Sequence, residues 1–224
     1  MIVTLKSETR KQGEYVLTRA HDDIAIDLDK MLSPIDLQGL FTSGGPVHVE
    51  VGSGTGTFLL HQAQAHPELN FLGIEWANKY YQYSVDRMCR WQMANVRVLR
   101  TDARDFIRCY LPEGSVEAFH VYFPDPWPKK RHQKRRFFSP GNIGHVLRCL
   151  SSKGQIRTAT DHKDYYQVMR EVLLEEPDIA AQLEEIDFFP TDAADPGEWV
   201  GSNFERKYIK QGRWIQTLAV RKRC

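Results

Sequence analysis

Cysteine is sparse in this chain, and the few present are poorly placed to act together. Cys89, Cys109, Cys149 and Cys224 are far apart and form no C-x-x-C pair. That spacing argues against a zinc site or a disulfide framework and fits reduced thiols, so no metal is expected. Long apolar runs are missing too. No stretch approaches the roughly 18 residues that a membrane span needs, and the N-terminal MIVTLKSETRK lacks the apolar core of a signal peptide. A soluble, cytoplasmic protein with no membrane contact is therefore expected. Charge of either sign is not in excess, since the net value is +1 over 224 residues. With so weak an overall field, attraction to a polyanion must come from a local patch.

What is present fits one α/β domain with modest extensions: 42% of residues are hydrophobic and 26% charged, enough for a sizeable core and a solvated surface. Residues 1–45 read as an N-terminal extension without assignable chemistry. Within it, SPIDLQGLF predicts a short helix capped by Ser33 and begun by Pro34. Residues 46–224 read as the main domain. VHVEVG, NFLGIEW, VRVLRTDA, VEAFHVYFPDP and QIRTATD predict five strands, with EEIDFF and RWIQTLAVRK as two more. TFLLHQAQAH, NKYYQYSVDRMCRWQM and KDYYQVMREVLLEE have helical spacing between and after them. Alternation of this kind predicts a doubly wound, largely parallel sheet that binds ligands beyond its carboxyl ends.

Acids gather at those ends. Glu50 lies within the first turn, and Glu75, Asp102, Asp125 and Asp161 follow at the later strand ends. The first turn, EVGSGTG, carries Gly52, Gly54 and Gly56 at alternate positions, a spacing that lets a ligand approach the backbone closely. Glu75 stands 19 residues after Gly56, where a carboxylate can accept both hydroxyls of a ribose. Asp102 is placed to receive an adenine amino group or a loop amide. A pyrophosphate would be repelled by Glu50, whereas a ligand carrying an ammonium and a sulfonium would be attracted. Glycines and acids together favour S-adenosylmethionine over a nicotinamide dinucleotide.

The stretch FPDPWPKKRHQKRRF sets one carboxylate, Asp125, between prolines and then places six cations among the eight residues from Lys129 to Arg136. Prolines leave Asp125 few conformations to lose. Lys129, Arg131 and their neighbours suit phosphate capture, which positions a polynucleotide without reading its sequence. Trp127 is either a stacking surface for a base or packing for the turn. Arg206 and Lys207 are further candidates for RNA contact.

VEVGSGTG, GIEW, TDARDF, FPDPWPKKRHQKRRF, ATDHKDYY and SNFERK occur in the order found in bacterial tRNA (guanine-N7)-methyltransferases, the TrmB family, which this chain resembles from Pro46 onward. The resemblance implies a Rossmann-like seven-stranded class I methyltransferase fold, a three-layer αβα sandwich. It implies methylation of the variable-loop guanosine of tRNA, position 46, at N7, leaving S-adenosylhomocysteine. Residue by residue, it implies that Glu50, Glu75, Asp102 and Asp125 bind the cofactor and that Asp125 is also the active-site residue. Lys129 and Asp161 are implied as substrate contacts, as is the segment Ser202, Asn203, Phe204 and Glu205. Ser202 departs from the family's usual threonine but keeps the hydroxyl. Guanine N7 has a lone pair and no proton, so the reaction needs alignment rather than a strong base. Asp161 or Glu205 would accept from the base's N1–H and amino group. A monomer or homodimer acting on tRNA without an obligate partner subunit is expected. An amino-group methyltransferase, suggested by the DPW turn, and a cofactor-free RNA-binding protein remain as alternatives.

Overall fold

The computed structural model describes residues 21–223, so MIVTLKSETRK and Cys224 lie outside the described residues. The chain runs α1 (His21–Ile24), β1 (Ala25–Ile26), β2 (Val47–Val51), α2 (Thr57–Ala65), β3 (Asn70–Ile74), α3 (Asn78–Arg90), β4 (Val96–Leu99) and α4 (Ala103–Cys109). It continues with β5 (Val116–Tyr122), α5 (Pro140–Cys149), β6 (Leu150–Thr160), α6 (Lys163–Arg170), α7 (Pro177–Ala180), β7 (Leu183–Ile186), α8 (Asn203–Lys210) and β8 (Gln216–Lys222).

All seven strands expected from the sequence form. They assemble with β1 in the order β1-β4-β3-β2-β5-β6-β8-β7. β8 alone reverses direction, running antiparallel to β6 and β7. The order turns back between β2 and β5, and a doubly wound sheet opens its ligand crevice at such a point. β3 and β4 are buried at every position, as apolar strands covered on both faces must be. Leu59, Val85 and Met88 from α2 and α3 fill one side with Phe71 and Val98. Phe106, Ile143 and Val146 from α4 and α5 fill the other with Phe119 and Ile156. Among the described residues, no helix is long and apolar enough to cross a membrane.

The N-terminal segment contributes more than an extension would. β1 pairs with β4 at the sheet edge, and Ile35, Leu37 and Phe41 are buried in the core. The helix expected at SPIDLQGLF does not form; only Gln38–Leu40 makes a single 3-10 turn. The Asp36 carboxylate accepts from the Gly39 N–H at 3.0 Å, and a local bond of this kind competes with helix propagation. The Ile35 N–H is committed to the Tyr110 carbonyl at the end of α4.

Candidate active site at the carboxyl rim of the sheet

The glycine turn is fastened before it can receive anything. Gly52 and Ser53 donate backbone N–H groups to the Ile74 carbonyl at 2.8 and 3.1 Å. Gly52 and Gly54 both have positive φ, at 77° and 55°, and open space where a β-carbon would stand. Side chains there would strain the backbone and fill that space. Gly56 serves packing instead. A β-carbon on it would lie 2.4 Å from Ser84 Oγ and 2.8 Å from Met88 Cε, so its role is to bring α2 against α3. This corrects the expectation that all three glycines face a ligand.

Beside the turn is a cavity of about 220 Å³. Its wall includes Glu50, Gly52, Gly54, Thr55, Phe123 and Phe204. Glu50 is 5% exposed, and its Oε2 has no hydrogen-bond partner. Burial above all, and then the neighbouring Glu75, push its carboxyl well above the usual carboxylate range. Ser53 Oγ, also on the wall, is likewise buried and unpartnered. Two orphaned polar atoms beside two bare glycines form a cradle suited to a cationic, hydrogen-bonding ligand. Behind it lies a neutral polar chain. The Tyr122 hydroxyl, on the wall, is 2.9 Å from His120 Nδ1, and His120 Nε2 is 3.1 Å from His48 Nδ1. Burial lowers the His48 pKa to about 4 and depresses that of His120 strongly, so both rings are neutral at physiological pH.

The other acids differ in how much of each carboxylate is already used. Glu75 Oε2 accepts from the Gly54 N–H at 2.8 Å and Oε1 from the Ala77 N–H at 2.7 Å. It therefore holds the glycine turn, and each oxygen retains a lone pair for a ribose hydroxyl. Asp102 caps α4 through the Arg104 N–H and pairs with the Arg104 guanidinium at 2.9 Å, which holds its carboxyl below the usual range. It stands outside the cavity wall. Asp125 is exposed on the turn after β5. Phe123 and Trp127, at φ 52° and 42°, flank it in a strained bend that Arg136 clamps by donating to the Pro126 carbonyl at 2.8 Å. Asp161, at the end of β6, is paired with Arg213.

The segment Ser202–Phe204 lies on the cavity wall opposite the glycine turn. Ser202 Oγ accepts from the Glu205 N–H at 3.1 Å and so caps α8. Asn203 Nδ2 donates to both Thr55 Oγ1 and Thr57 Oγ1 at 3.0 Å, joining α8 to the first turn across the crevice. Glu205 has a structural task that the sequence reading did not assign. It is fully buried, and its carboxylate accepts from the backbone N–H groups of Trp199, Val200 and Gly201 at 2.6 to 2.8 Å. Buried and bonded through both oxygens to the loop, it positions the wall.

Two further candidate side chains are engaged within the fold. Arg206 is held by Glu198 at 2.9 Å and by Asp195, and is committed to the loop rather than to a polynucleotide. Trp127 packs the turn, with the Arg135 guanidinium 5.0 Å from its ring centre and His132 edge-on at 5.7 Å. Of the six cations in the run, Arg135 and Arg136 are therefore occupied locally, the latter also lying over Tyr165. Lys130, Arg131 and Lys134 stand exposed on one 3-10 segment, with Lys129 exposed just before it. Thr57, Phe58, Tyr80 and Lys207 also line the wall and were not singled out as cavity residues from sequence. Thr57 was findable, since it is the residue on which the glycine turn passes into α2. A larger open groove, about 730 Å³, lies against β6, β8 and β7 but has no glycine turn.

Solved structures share this fold at low sequence identity. One described as an antibiotic-related methyltransferase superposes with a TM-score of 0.54 at 14% identity, covering 82% of this chain and 88% of that one. A SAM-dependent O-methyltransferase from Thermotoga maritima gives 0.52 at 16% identity, covering 80% and 60%. The strand order and these likenesses thus define a Rossmann-like α/β fold. More narrowly, the chain belongs to the family described as putative methyltransferase, whose family model matches residues 44–218. It is similar to a tRNA (guanine-N(7)-)-methyltransferase of Rhodopirellula baltica, 36% identical over 212 residues that cover 89% of this chain and 77% of the relative. A Streptococcus sanguinis protein of the same name is 30% identical over 209 residues, covering 92% and 94%.

Proposed function

We propose that this protein transfers the methyl group of S-adenosylmethionine to N7 of a guanosine in tRNA, the variable-loop guanosine at position 46. The observation that carries this reading is the unpartnered oxygen of buried Glu50, set beside bare glycines in a cavity closed by Ser202, Asn203 and Phe204. The cavity suits the cofactor, because a buried carboxylate without a partner is favourable only when a cationic or donating ligand arrives. When bound, S-adenosylmethionine supplies an electrophilic methyl on a sulfonium.

This chain's own residues then have separable tasks. Glu50 in its anionic form offsets the donor's positive charge. Glu75 fixes the glycine turn and offers its remaining lone pairs to hydroxyls. Asn203 holds the two walls together and limits water entry. Asp125, on a turn stiffened by prolines and by Arg136, is held where a carboxylate can face charge developing on the guanine ring. No group need remove a proton, because N7 has none. Lys129, Arg131 and the other exposed cations capture phosphates outside the pocket, where they do not oppose the sulfonium. The reading places the enzyme in the cytoplasm with tRNA, acting without an obligate partner subunit.

The test is nucleoside analysis. Unmodified tRNA incubated with purified protein and labelled S-adenosylmethionine should yield labelled N7-methylguanosine from the variable loop. Label on an exocyclic amino nitrogen would support the amino-group alternative, and no transfer at all would leave only a binding protein.

A further inference from the structure

The residue that pairs with Asp161 has no role in the reading above. Asp161 closes β6, and its carboxylate is only 13% exposed, yet its partner Arg213 is half in solvent. Arg213 precedes β8, and its N–H is bonded to the Tyr208 carbonyl at 3.0 Å. Its guanidinium lies 4.7 Å from the centre of the Tyr208 ring. Tyr208 in turn packs against Phe123 at 5.6 Å and Phe204 at 6.2 Å, both on the wall of the donor cavity. Lys207 Nζ is the other cation near that ring, at 5.9 Å.

A guanidinium on an aromatic face, donating to a carboxylate, is a flat group with an edge of N–H donors. Guanine presents the same features: a flat ring whose N1–H and 2-amino group form one donor edge. We propose that the target guanine takes the place of the Arg213 guanidinium, stacking on Tyr208 and donating to Asp161, so that Arg213 is an internal placeholder that the substrate displaces. This deepens the methyltransferase reading and rests on it.

The energetics are consistent with a placeholder. An unpaired carboxylate at this depth would be poorly solvated, so a resident cation keeps the acceptor formed and oriented until a base arrives. Because Arg213 is half exposed, it can swing into solvent without opening the core. An ion pair this exposed is also weak enough to be exchanged. Tyr208 adjoins the donor cavity through Phe123, so a base on its face lies next to the methyl donor.

Steady-state kinetics with the full chain and unmodified tRNA separates this from its rivals. Removing a competitor should tighten binding, so Arg213→Ala should lower KM for tRNA by roughly two- to fivefold. Arg213→Lys, which keeps the charge but not the planar fork, should fall between wild type and alanine. Tyr208→Ala should raise KM by roughly 5- to 150-fold, the range for losing one base–aromatic stack, and Tyr208→Phe should restore it. If Arg213→Ala raises KM, the arginine is a phosphate ligand and the placeholder is wrong; an unchanged KM overturns it equally. If wild-type protein makes no N7-methylguanosine, the activity itself is misread, an outcome distinct from failure of the placeholder alone.

Discussion

Glu50 and Glu205 are the same residue type at nearly the same depth, 5% and 0% exposed, and they do opposite things. Glu205 sits at the start of α8, and its two oxygens accept from three consecutive backbone N–H groups. Glu50 sits on β2 and leaves Oε2 without a partner. The first carboxylate completes a structure; the second is left for something that is not part of the chain. Buried polar groups in folded proteins are nearly always satisfied, so an exception on a cavity wall marks the site; Ser84 Oγ, equally unpartnered, lies off that wall under Gly56. Burial alone would not have separated the two. Their hydrogen-bond inventories do.

The largest effect that would break this contrast belongs to Glu205→Ala. It strands three donors, at about 1–3 kcal/mol for each that water cannot reach. A loss of more than about 3 kcal/mol is expected, which lowers Tm by on the order of 10 °C in a domain of this size. Thermal unfolding followed by circular dichroism reads it directly. Because Gly201 approaches the Ala193 carbonyl so closely that a β-carbon would lie 2.0 Å from it, the loop has little room to find substitute partners. An unchanged Tm would mean that Glu205 is not architectural.

Glu50→Gln should act in the reverse sense on stability. The folded-state pKa of Glu50 is raised above its unfolded value of about 4.3. Its contribution to stability is therefore fully present below about pH 4.3 and is lost as pH rises through the folded value. Glutamine removes that penalty, so the variant should be more stable than wild type at pH 8, with the gap closing as pH falls. The same change should weaken S-adenosylmethionine binding by roughly 30-fold or more, since a buried charge partner is gone. Calorimetry in buffers of different ionisation enthalpy should also show wild type releasing a proton on binding and the variant releasing none. A variant that binds as tightly as wild type would return Glu50 to the structural class.

How much of this could be read from sequence follows the same division. The strands were legible because each is a short apolar run bounded by turn residues, and Val47–Val51 through Gln216–Lys222 lie where their patterns predict. The rim was legible because the topology sends the end of every parallel strand to one edge, which places Glu75, Asp102 and Asp161 by counting alone. What each carboxylate does there was not. Asp102 caps α4 and is paired with Arg104, two residues on. Glu205 is consumed by a loop whose path depends on Gly201 and on contacts made across the fold. Partners such as Asn203 with Thr55 are 148 residues apart, beyond any local pattern. The two-residue strand Ala25–Ile26 was also missed, because so short an edge carries no period.

The smallest change that sharpens the contrast is at Ser202. Its hydroxyl caps α8 by accepting from the Glu205 N–H, so Ser202→Ala should cost about 1 kcal/mol, the usual value of a lost N-cap. That is about 2–4 °C in Tm for a domain of this size. The effect on function should exceed the effect on stability, because the cap fixes the first turn of the helix that carries Asn203 and Phe204 to the cavity wall. A methyl-transfer assay should therefore show a higher KM for the cofactor at a temperature where the fold is intact. Ser202→Thr keeps the accepting oxygen and adds one methyl group, and should restore both readouts if the cap is the whole role of the side chain. If threonine restores Tm but not KM, the added methyl group crowds the ligand, and the side chain lies against it directly. Ser202 would then share Glu50's role as well as that of Glu205.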